Sequence, residues 1–120
     1  PLVSAVNLTI PSFPITRPSL TVALAALDDQ VHLDWVVAEV RAIRDEATDR
    51  LNRAGWNVAP SAANFLLIRP GLHPPEAAEQ AVADLRAANI LVRLLPGYPA
   101  IRMTLGTRED MDQIYAVLGC

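Results

Sequence analysis

Between residues 31 and 54 the chain reads VHLDWVVAEVRAIRDEATDRLNRA, with apolar residues at Leu33, Val36, Val37, Val40, Ile43, Ala47 and Leu51, every three or four positions. Glu39, Arg41, Arg44, Asp45 and Arg50 fall on the other side, and Gly55 stands where a helix commonly stops. The spacing predicts an amphipathic helix of about 24 residues, or about 36 Å. A helix of that length in so small a chain is expected to reach beyond its own core.

Upstream, Pro1, Pro11, Pro14 and Pro18 remove backbone donors and predict an extended arm to residue 18. From Ser19, a candidate cap, SLTVALAALDD sets Leu20, Ala23, Leu24 and Leu27 at helical spacing. Its other face is apolar too, which predicts a well-buried short helix. Downstream, WNVAPSAANFLLIRP reads as a short strand, a break at Pro60 and Ser61, and a buried strand from Phe65 to Ile68.

Prolines suited to a first turn, early Glu76 and Glu79, and an apolar face of Ala78, Val82 and Leu85 predict a helix over 74–88. Ile90 to Arg93 reads as a strand, LLPGYP as a turn and Ala100 to Leu105 as another strand. In the last, Ile101, Met103 and Leu105 oppose Arg102 and Thr104. Thr107 and Asp110 then open a helix with Met111, Ile114, Tyr115 and Leu118 along its apolar stripe and Gly119 at its end.

This order predicts an α+β fold: a short mixed or antiparallel sheet covered by helices, preceded by a long connecting helix. The expected divisions are an extended arm at 1–18, connecting helices at 19–56 and a small domain at 57–120.

Composition adds three constraints. A net charge of -3 with dispersed basic residues argues against a nucleic-acid partner. No stretch approaches the roughly 18–20 apolar residues that span a bilayer, and the N-terminus lacks a basic region ahead of an apolar core, so the chain is expected to be cytoplasmic and not membrane-bound. All ten basic residues are arginine; without lysine, any chemistry that needs a lysine amine lies outside this chain.

Candidate chemistry concentrates in NILVRLLPGYPAIRMTLGTRED, residues 89 to 110. Arg93 and Arg102 each stand near the end of a strand-like run, and an arginine carries a permanent charge on a planar fork suited to carboxylates and phosphates. The pair suggests an anion site. By contrast His32 and His73 lack a third ligand or a nucleophile, Cys120 is single and terminal, and the acidic pairs at 28–29 and 109–110 fall at helix ends. No metal site and no catalytic residue is assigned. Asn64 is expected to bond backbone at a strand start, Trp56 to anchor the core, and Trp35 to face either the core or a missing domain.

SAANFLLIRP, a helix, NILVR, then AIRMTLGTRED and a closing amphipathic helix together resemble the C-terminal small domain of the histidinol-phosphate aminotransferase group, fold-type I enzymes that use pyridoxal phosphate. The proline-bearing arm, LTVALAALDD and the long helix resemble the segment leading into that domain, so the likeness covers about residues 11 to 118. It implies that Arg102 binds the substrate's α-carboxylate and that Arg93 helps hold a substrate phosphate. The lysine and the other residues that hold the cofactor belong to the large domain.

The resemblance thus implies a complete enzyme that carries pyridoxal 5'-phosphate and moves an amino group between an amino acid, or amino phosphate, and a 2-oxo acid. No cofactor is expected on this chain alone, which should be inactive. The implied partners are a large cofactor-binding domain, in the same or a separate chain, and a second copy as a homodimer in amino-acid biosynthesis. Two other readings stay open: an enzyme similar to threonine-phosphate decarboxylase of cobalamin synthesis, and a non-catalytic stand-alone binding or interaction module. The GT after RMTL leans toward the aminotransferase.

Overall fold

The computed structural model describes residues 2–10 and 13–120. The chain separates into two compact units, Pro1–Trp35 and Val36–Cys120.

The first unit contains α1 (Leu2–Asn7), α2 (Arg17–Asp28) and the start of α3 (Gln30–Arg53). Part of the expected extended arm is therefore helical. Leu2–Asn7 contains no proline, so nothing within it removes a donor from the helical ladder. The extended arm expected at residues 1, 11 and 12 lies outside the described residues. α2 begins three residues earlier than expected because Thr16, not Ser19, is its cap: the Thr16 side chain accepts from the Ser19 N–H at 3.2 Å. The Asp29 side chain accepts from the His32 N–H at 3.0 Å, at the start of α3.

The expected burial of α2 is overturned. None of its residues is buried: Leu20, Val22, Leu24 and Leu27 are all more than half exposed. An apolar face is buried only when something covers it, and this unit supplies no cover.

The second unit is built on an antiparallel four-stranded sheet in the order β1 (Asn57–Val58), β2 (Phe65–Arg69), β4 (Ile101–Thr104), β3 (Arg93–Leu94). Alternation sends Val58, Leu66, Ile68, Ile101 and Met103 to one face. They cluster with Ile43, Ala47 and Leu51 of α3, Ala78, Ala81 and Leu85 of α4 (Ala77–Ala87), and Met111, Ile114 and Tyr115 of α5 (Arg108–Leu118). The sheet is thus antiparallel throughout, with helices on one face, and the α+β expectation stands. Only the C-terminal half of the α3 stripe is buried; Leu33 is 44% and Val37 37% exposed.

Local chemistry secures the junctions. At the end of α3, Gly55 adopts φ +92°, and the following turn passes so close that a Cβ on Gly71, itself at φ +64°, would lie 2.4 Å from the Gly55 carbonyl oxygen. Asn52 Oδ1 accepts from the Val58 N–H at 3.1 Å, which ties β1 back to α3. α5 opens with a full capping box: the Thr107 side chain accepts from the Asp110 N–H, and the Asp110 carboxylate accepts from the Thr107 N–H at 2.9 Å. These bonds hold the exposed Asp110 carboxyl below its usual range. Arg108 bridges α5 to α3 through Glu39 at 3.2 Å and Glu46 at 3.6 Å.

Two stability outcomes follow from these contacts. Thr107→Ala should cost about 1 kcal/mol in urea unfolding, the usual loss on removing a side-chain cap; an unchanged midpoint would show that the box contributes nothing. Burial, reinforced by the Glu46 carboxylate, pushes the Tyr115 phenol up to about 12 from its ordinary 10.0. The folded chain therefore keeps this proton after the unfolded chain has lost it, so stability should fall as pH rises from 10 to about 12. Tyr115→Phe should flatten that part of the stability–pH curve, and an identical slope in the variant would refute the assignment.

Candidate anion site

β4 is the centre of the site. Ile101 and Met103 are buried in the core, so alternation turns Arg102 and Thr104 to the helix-free face, where both are exposed. The register aligns Arg102 with Leu67 of β2 on one side and Arg93 of β3 on the other. Phe65 is paired with Thr104, and Arg69, two residues beyond Leu67, lies on the same face. A half-buried floor of Phe65 and Leu67 is therefore flanked by Arg69, Arg93 and Arg102.

The connection between β3 and β4 creates this juxtaposition. The Leu95 N–H donates to the Ala100 carbonyl at 2.9 Å, the Tyr98 N–H donates to Leu95 at 3.2 Å, and Gly97 takes φ +71°, where a side chain would be strained. So tight a turn fixes which residue of β3 faces Arg102, and that residue is Arg93. A longer loop would leave the register freer.

Like charges directly opposite each other on neighbouring strands repel. Arg44, Arg50, Arg53 and Arg108 each have a carboxylate within 4.0 Å, whereas Arg69, Arg93 and Arg102 on the sheet, like Arg17, Arg41 and Arg86 on the helices, have none among the described residues. Arg102 instead lies over the Phe65 ring, its Cζ 4.2 Å from the centroid, a contact worth about 0.5–1 kcal/mol at an exposed site. The ring orients the guanidinium without neutralising it, and its donors meet no acceptor among the described residues.

The sequence missed Arg69. The apolar run ends at Ile68, but alternation with Phe65 and Leu67 carries the strand on to Arg69 and places it on their face. Its Nη2 donates to Asn57 Oδ1 at 3.3 Å, while its Nε is closed off from solvent without a hydrogen-bond partner among the described residues.

The remaining candidates take no part. The expected local bonding belongs to Ser61, not Asn64: Ser61 Oγ donates to the Phe65 carbonyl at 2.8 Å and accepts from the Ala63 N–H. His73 places Nε2 2.9 Å from the Ala54 carbonyl and packs on Trp56, a fastening of the α3 terminus. Trp56 is core, as expected, and Trp35 is 61% exposed. Burial raises the Cys120 thiol and reduces its thiolate fraction. No grouping of metal-ligating side chains occurs among the described residues, and no helix there is long and apolar enough to cross a membrane.

Known proteins resemble this chain along most of its length. The profile of the aminotransferase class I and II family matches residues 1–118. Histidinol-phosphate aminotransferase 2 of Thiobacillus denitrificans is 34% identical over 98% of this chain, which covers 34% of that protein. A second relative, histidinol-phosphate aminotransferase 2 of Gluconobacter oxydans, is 39% identical over 82% of the chain and 28% of its own length. A solved structure from Burkholderia pseudomallei, described as an aminotransferase, superposes with a TM-score of 0.67 at 32% identity, covering 78% of this chain and 29% of the other. The chain spans about a third of the length of the curated relatives it matches. On sequence and fold together, the chain belongs to the aminotransferase class I and II family.

Proposed function

We propose that the chain is the C-terminal portion of a pyridoxal-phosphate-dependent aminotransferase similar to histidinol-phosphate aminotransferase, and that it supplies the grip on the substrate's anionic groups. The observation that carries this reading is the register pair Arg93 and Arg102, two permanent cations side by side without an internal counter-charge among the described residues. Arg102 binds the α-carboxylate of an amino acid or 2-oxo acid by a bidentate pair, and Arg93 receives a second anionic group such as a phosphate. Holding the acid at a fixed point orients the substrate's Cα bonds, a positional contribution that involves no proton transfer by these residues.

The family implies pyridoxal phosphate in the complete enzyme, where it supplies the electron sink for amino transfer. The residues of this chain do not fit the cofactor: no lysine is present to anchor it. We therefore assign it to a large domain, in the same or a separate chain, with residues 19–56 as connecting helices and 57–120 as the small domain. The exposed apolar side chains of α2 support such a partner, since a solvated face of this kind is ordinarily an interface. The complete enzyme is proposed to be a cytoplasmic homodimer.

In that enzyme Arg102→Ala should raise the amino-acid KM and lower kcat/KM by the equivalent of about 2–4 kcal/mol, the range for deleting one partner of a desolvated charge pair. Unchanged kinetics would remove Arg102 from the site. The chain by itself, mixed with pyridoxal phosphate, should leave the absorption band of the free cofactor unaltered. A shifted band would contradict the assignment of the cofactor to another domain.

A further inference from the structure

We propose that Arg69 is a specificity-determining residue of the same sheet face, selecting substrates that carry a second acidic group remote from the α-carboxylate. The inference rests on the reading of Arg102 as the carboxylate ligand and deepens it.

Position comes first. Arg69 stands one strand over from Arg102 and two residues beyond that strand's Leu67, the register partner of Arg102. With adjacent strands about 4.8 Å apart and about 6.8 Å per two residues, the backbones of the two arginines are about 8 Å apart. The guanidinium of Arg102 leans over Phe65, whereas that of Arg69 is drawn toward Asn57 on β1. The two charges thus lie at separate points on the face, with Leu67 between them as an apolar floor. Arg93 lies level with Arg102 on the β3 side, so a group held by that pair leaves Arg69 unmatched; a carboxylate or phosphate at the end of a side chain running over Leu67 toward β1 meets Arg69 instead.

Preorganisation is the second argument. Asn57 is the register partner of Arg69 and accepts from its Nη2 at 3.3 Å, so one edge of the guanidinium is held while Nε is shut away from solvent. A held cation loses less side-chain entropy on binding an anion than a free one does. No described carboxylate lies within 4.0 Å to compete for it.

The test uses the chain itself, titrated with glutarate as a dianion and butyrate as a monoanion and followed by the arginine Nε–H signals in nitrogen–proton NMR spectra. Arg69→Gln should weaken glutarate binding about tenfold and leave butyrate within about twofold, as expected for losing one charge-assisted contact. Asn57→Ala, which keeps the charge and removes its support, should weaken glutarate less, and Arg86→Gln on α4 should change neither. If Arg102→Gln weakens both acids while Arg69→Gln weakens neither, the role of Arg69 is refuted and the carboxylate site stands. Should Arg102→Gln leave both acids bound as before, the carboxylate site fails and this inference with it.

Discussion

The antiparallel pairing of β4 with both of its neighbours is the constraint on which the site depends. Once Ile101 and Met103 enter the core, a two-residue period leaves Arg102 no choice of face, and the backbone pairing with β3 brings Arg93 level with it. Neither arginine can be moved to the core side without slipping a strand and exposing its apolar partners. Two cations are therefore held together by the hydrophobic burial of the residues between them. Their mutual repulsion is a small local cost beside that burial.

Charge is distributed in keeping with this arrangement. The chain is net acidic, yet the carboxylates that pair with arginine among the described residues, Glu39, Asp45, Glu46 and Asp49, all belong to α3. They neutralise Arg44, Arg50, Arg53 and Arg108 around the helical layer. The opposite face of the sheet keeps its positive charges unpaired by described residues, and the aromatic ring beneath Arg102 steers the guanidinium without consuming its hydrogen-bond donors. A local field of one sign can thus persist on a protein of the other sign, because ion pairing acts over a few ångströms and screening over about 8–10 Å at physiological ionic strength.

The N-terminal helices present the converse case. α2 has sound local chemistry, with a threonine cap and an apolar repeat, but buries none of its residues. The α3 stripe is covered only over Ile43, Ala47 and Leu51, where the sheet and the other helices reach it. The family's curated relatives are about three times as long as this chain.

By itself the sequence determined what depends on short-range periodicity and on the chemistry of single side chains. The long helix, the buried strand at Phe65–Ile68, the alternation that exposes Arg102 and the Thr107–Asp110 box were all legible, because 3.6- and 2-residue repeats and caps are local properties. Tertiary structure alone decided that Arg93 faces Arg102, that Arg69 joins their face held by Asn57, and that His73 fastens the end of α3. Each of these depends on strand register or on a turn closing across many residues, which no local pattern encodes. The exposure of α2 also had to come from the fold, since apolar spacing states which face prefers burial and not whether anything is there to bury it.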